Sequence, residues 1–75
     1  MNKDRRTRLR EQINTLRKVV DEISSINDEE SMVFDNIPEN LQGSDRGMDM
    51  EDAMDIMTEN IETLENVISE LEELV

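Results

Sequence analysis

From Met50 onward, apolar residues return at alternating steps of four and three: Met54, Met57, Ile61, Leu64, Ile68, Leu71 and Val75. That rhythm is the period of one helix packed along another; a strand, with its period of two, cannot present those side chains on one face. Leu9, Ile13, Leu16, Val20 and Ile23 repeat it in the first half of the chain, and it fades at the next two positions, Asn27 and Glu30. The spacing predicts one helix over residues 3–30, capped by Asn2, and a second over residues 46–74, capped by Ser44 or Asp45. At 1.5 Å per residue each is about 40 Å long. Pro38, Gly43 and Gly47 break the periodicity around a connection at residues 31–45. The fold class is therefore all-α, a single domain over residues 1–75 built as an antiparallel, coiled-coil-like helical hairpin.

The connection has structure of its own in prospect. Residues 36–40 read as a short helical turn capped by Asn36, with Pro38 in its first turn. Met32, Val33, Phe34, Ile37 and Leu41 give it apolar anchors, so an ordered loop that packs down is expected.

The apolar stripe is wider than a pair of helices needs. Val19, Ile26 and Val33 flank the first seam and its extension, and Ala53, Val67 and Leu74 flank the second. A lone hairpin leaves that flank wet, and each exposed Leu or Ile forgoes about 1.5–3 kcal/mol of burial. A chain of 75 residues without cysteine has neither a large core nor a disulfide to make up the difference. A homo-oligomer is expected, in its simplest form a dimer of hairpins making a four-helix bundle, with Val19, Ile26, Ala53, Val67 and Leu74 at the interface.

Charge is distributed unevenly. Residues 1–18 hold seven cations against two acids, a net of +5, and residues 59–75 carry six glutamates and no cation. An antiparallel hairpin sets these segments side by side, where they nearly cancel. Pairing between them must offset the helix dipoles, since the cations sit at an N-terminus and the glutamates at a C-terminus. Residues 19–58 hold twelve acids and a single cation, Arg46, for −11 of the total −12. The loop end is thus an acidic pole. It reads either as a solvated surface that keeps a small oligomer soluble or as a field that engages a basic groove on another protein. In the second case Asp28, Glu29, Glu30, Asp49, Asp52 and Asp55 supply the charge, with Ile37 and Leu41 as apolar anchors.

Arg46 lies in Gly43-Ser44-Asp45-Arg46-Gly47, where small residues meet a helix start. Amides at a helix N-terminus, a hydroxyl and a guanidinium can hold a phosphate, so Gly43, Ser44, Arg46 and Gly47 form a candidate anion or nucleotide site. The plainer alternative pairs Arg46 with Asp45 or Asp49 and leaves the glycines to the turn. Met50, Met54 and Met57, with Met32 and Met48 flanking the loop, read as adaptable core, or alternatively as a soft, repackable surface for a partner.

Other classes fall away. Without histidine or cysteine no nucleophile–base pair can be assembled, so no catalytic residues and no enzyme activity are expected. No cofactor and no metal is expected either; Asp49, Glu51 and Asp52 are neighbours, but not at calcium-loop spacing. The longest apolar run, Met32-Val33-Phe34, spans no membrane, and no signal core follows the basic start. A strongly acidic chain with one aromatic residue is not expected to bind DNA or RNA directly. A cytoplasmic location follows as the expectation.

The layout of a Lys/Arg-rich helix, an acidic end, the loop Asp35-Asn36-Ile37-Pro38-Glu39-Asn40-Leu41-Gln42-Gly43-Ser44-Asp45-Arg46-Gly47 and an acidic heptad helix resembles small acidic helical-hairpin proteins encoded by phages and prophages of Gram-positive bacteria. The resemblance covers most of the chain, the loop being its most specific part. It implies a context in the host cytoplasm and antagonism of host defence, by occupying a host protein, as a nucleic-acid mimic in some cases, or by sequestering a nucleotide signal in a helical oligomer. The expected function is binding, with a host protein as partner beside the second copy of the chain. The alternatives are a nucleotide sponge and a structural or assembly coiled coil.

Overall fold

Two polar side chains start the two long helices. In the computed structural model, which describes residues 1–75, Asn2 Oδ1 accepts the Arg5 amide at 2.8 Å and Ser44 Oγ accepts the Gly47 amide at 3.3 Å. Each satisfies one of the donors that a helix N-terminus leaves without an internal partner. Helix α1 then runs over Lys3–Asp35 and α2 over Asp45–Glu72, with one 3-10 turn, Glu39–Leu41, between them.

The helices pack antiparallel into a rod of 58 × 15 × 13 Å. Every position of the 4-3 seam is buried or half-buried, but the fully buried cluster is small: Ile13, Val20 and Ile68. Leu9, Leu16, Ile61, Leu64, Leu71 and Val75 close around it, and Met50 is the one buried side chain near the loop. Met54 and Met57 are half-buried, so the seam methionines act as core.

Helix α1 continues five residues past the predicted end at residue 30. The seam does not stop at Asn27 and Glu30; it tolerates them. Asn27 Nδ2 donates to Thr58 Oγ1 at 3.2 Å, Glu30 is half-buried, and Phe34 and Ile37 resume the apolar spacing. Asn27 Oδ1 is buried without a partner. The connection is correspondingly shorter, residues 36–44. Asn36 caps the C-terminus of α1 rather than starting the turn, because its amide still bonds back to the Met32 carbonyl at 3.2 Å. Pro38 takes the position before the 3-10 turn, with its fixed φ suited to that entry. At the other end α2 stops at Glu72 because the Leu74 and Val75 amides close tighter bonds, to the Leu71 carbonyl at 3.0 Å and the Glu72 carbonyl at 3.2 Å.

The expected charge alignment is present. Arg17 of α1 forms an ion pair with Glu72 of α2, while Arg8 pairs with Asp4 on its own helix at 3.6 Å. No helix is long and apolar enough to cross a membrane. The rod exposes 5777 Å², whereas a compact folded monomer of 8.8 kDa exposes about 4,800 Å².

Candidate functional site

Gln42 is the residue that makes the loop end a defined surface. Its side-chain Nε2 donates to the Ile37 carbonyl at 3.2 Å and to the Phe34 carbonyl at 3.4 Å, tying the loop to the last turn of α1. Within the turn the Leu41 amide donates to the Pro38 carbonyl at 2.8 Å and the Ser44 amide to the Leu41 carbonyl at 3.1 Å. On the other side the loop presses directly on α2. A Cβ at Gly47 would lie 2.0 Å from the Gln42 carbonyl oxygen, so only glycine permits the approach. The loop packs down as expected, but through Gln42 and Gly47 rather than through the five apolar anchors: Met32 and Val33 are exposed, and Phe34 is only half-buried. Ile37 is half-buried as a continuation of the seam, whereas Leu41 is exposed.

The acids of this end are brought to the same region but not to one point. Asp28 and Glu29 are exposed on α1, Asp49, Asp52 and Asp55 are exposed on α2, and Glu30 sits half-buried on the seam. By heptad position the exposed acids occupy the outer sides of two different helices, and no three carboxylates converge as a metal site would require. The result is a diffuse negative field around the rod. Its strength follows from the register that Asn27–Thr58 sets, with residue 18 level with residue 67. Residues 1–18 with the adjoining residues 67–75 hold seven cations and five acids, a net of +2, while residues 19–66 hold one cation and fifteen acids, a net of −14.

The candidate anion site is only partly available. Ser44 Oγ and the Gly47 amide are committed to each other, and Gly47 is buried beneath Gln42. Gly43 faces open space. Arg46 is exposed and forms no ion pair, so the expected contacts with Asp45 or Asp49 are not made. Two shallow grooves exist, both away from the loop: one lined by Arg17, Asp21, Glu65 and Glu72 over Val20 and Ile68, the other at the N-terminus around Arg5, Arg8 and Leu9.

The two long edges of the hairpin differ. Arg17 and Glu72 each follow an inner seam residue, Leu16 and Leu71, and their contact proves that the positions following those residues share one edge. That edge is polar: Arg10, Arg17, Ser24 and Ser31 on α1, Glu51, Thr58, Glu65 and Glu72 on α2. The positions on the other side of the seam therefore share the opposite edge, and these are Val19, Ile26 and Val33 with Ala53, Asn60, Val67 and Leu74. Ala53 is half-buried, and the other apolar members are exposed, from 39% for Val67 to 50% for Leu74. Ile56, unrecognised in the sequence pattern, is 59% exposed and lies three residues from Ala53 and four from Asn60. That spacing puts it on the same edge, one helical turn from each, and it bridges the gap that Asn60 leaves.

Compared with protein-family models, curated proteins and solved structures, the chain matches none of them, and the geometry of its two ends and two edges carries the functional reading.

Proposed function

We propose that this chain works by binding, as a self-associating helical hairpin whose acidic loop end engages a protein presenting a basic surface. One observation carries the reading: by register, residues 19–66 hold a net −14 while the terminal end is nearly balanced. Solubility alone calls for net charge, not for its concentration at one end of a rod. A spread of exposed carboxylates without a converging pocket suits a broad cationic groove better than a small ligand, and such an encounter is steered over a distance and weakened by salt. Exposed Leu41, Met32 and Met48 supply apolar contact within that field. The resemblance of the loop to phage and prophage hairpins suggests a host defence protein as the partner, with nucleic-acid mimicry as the mode.

Self-association through Val19, Ile26, Ala53, Val67 and Leu74, as a dimeric four-helix bundle, belongs to the same proposal. Three apolar positions in every two turns form the wide stripe of a bundle helix rather than the narrow seam of a two-stranded coil. The test is capture of partners from a bacterial lysate by wild type and by Asp28→Lys/Asp49→Lys/Asp52→Lys, with circular dichroism reporting the fold. Salt-sensitive capture that disappears in the folded triple variant supports the acidic end; equal capture by both overturns it.

A second reading, sequestration of a phosphorylated nucleotide by Gly43, Ser44, Arg46 and Gly47, draws on the unpaired Arg46, the only cation in residues 19–66. Native mass spectrometry of gently purified protein decides between them. A reproducible nucleotide-sized excess mass that Arg46→Ala removes favours the sponge, and bare chain masses with intact protein capture favour the acidic end.

A further inference from the structure

The apolar edge has a symmetry that bears on how two copies meet. On α1 the row Gln12, Val19, Ile26, Val33 is centred between Val19 and Ile26, and on α2 the row Ala53, Asn60, Val67, Leu74 is centred between Asn60 and Val67. In the register set by the Asn27–Thr58 contact the two centres lie within about one residue's rise of the same height on the rod. A two-fold axis through that height, perpendicular to the rod, lays each row on its own reverse. Val19 then meets the partner's Ile26, and the small Ala53 meets the large Leu74 of the partner subunit.

We propose that the hairpins pair antiparallel in this way, α1 beside the partner's α1, so that the two acidic loop ends project from opposite ends of the bundle; this rests on the self-association proposed above. Two observations say that a second copy covers the edge, and in this orientation. The first is area. The rod exposes roughly 1,000 Å² more than a compact chain of its mass, which is about what one partner contributes to a standard stable interface. The second is charge. A parallel pair would stack −14 on −14 along the same stretch, whereas the reversed pair brings the +2 end of each copy against the acidic stretch of the other. Neighbouring helices lie about 8–10 Å apart, close to the screening length of about 8 Å at physiological salt, so this difference is felt. Lys3, Arg5, Arg6, Arg10 and Lys18 make no ion pair within the hairpin and are free to answer the partner's acids.

The measurement is a single spin label on the full chain. The sequence has no cysteine, and at Gly43 an added side chain meets nothing within 4 Å, so Gly43→Cys gives one label at each loop tip without disturbing the fold. Light scattering fixes the mass first, and double electron–electron resonance then reads the tip-to-tip distance. The antiparallel pair predicts about 50 Å, from the rise per residue between the two-fold and each tip; the parallel pair predicts less than about 25 Å, two or three helix spacings. A dimer with the long distance supports the proposal. A dimer with the short distance overturns the orientation and leaves self-association standing, whereas a monomer overturns self-association itself. Val67→Glu should return the dimer to monomer with its helical signal retained, and a folded Val67→Glu dimer would overturn the apolar edge as the contact.

Discussion

The two halves of the seam are built from different materials. Toward the termini, Ile13, Val20 and Ile68 are buried and ringed by leucine, isoleucine and valine, and Arg17–Glu72 closes the edge. Toward the loop the same seam carries Asn27, Glu30, Phe34 and Ile37 against Gly47, Met50, Met54 and Met57. Branched aliphatic residues lock one packing arrangement, while methionines and a polar layer tolerate several. The stiff half is nearly neutral and the soft half holds the acidic field. Cohesion and charge are thereby separated along one rod, so residues can change at the acidic end without dissolving the core.

The largest effect should come from the stiff half. Ile68, 3% exposed, is central to the buried cluster, and Ile68→Ala should cost about 2–5 kcal/mol in a urea titration. A loss below about 1 kcal/mol, the scale of an ordinary surface substitution, would break the division between the halves. Gly47→Ala probes the loop end, where the added methyl must displace the Gln42 backbone. An overpacking cost of about 1–3 kcal/mol is expected, together with faster amide exchange confined to residues 36–44. Wild-type exchange in that variant would mean that the loop does not depend on its seat against α2. The smallest effect, and of opposite sign, belongs to Asn27→Leu. It removes the buried acceptor that finds no partner, which should raise stability by about 1 kcal/mol. Because a polar seam residue helps choose partner and register, the same variant should show additional oligomeric species by native mass spectrometry.

How much of this was legible in the sequence depends on which force set each feature. The seam, both N-caps and the antiparallel charge alignment follow from spacing, and spacing is local. The spacing ends α1 too early because Asn27 and Glu30 break the hydrophobic pattern, although Phe34 and Ile37 keep its period; only Thr58, 31 residues away, explains why Asn27 can stay. Asn36 reads as a start and serves as an end because a short polar side chain fits either helix terminus. Gln42 and Ile56 carried no signal: one works through two carbonyls brought near by the turn, and the other joins the apolar edge only once the register is known. The acids of the loop end were legible as a total, while their division between two outer faces needed the fold.

The length of the rod has a hydrodynamic consequence. Its radius of gyration, 17.2 Å, is that of a globular chain of about 220 residues, some three times its actual length. A single hairpin would therefore elute ahead of globular standards of its own mass. Two hairpins lying side by side add thickness but little length, so the dimer is the rounder particle and runs closer to its true mass. The shape error is thus largest for the single hairpin, and a direct mass measurement is what tells the two states apart.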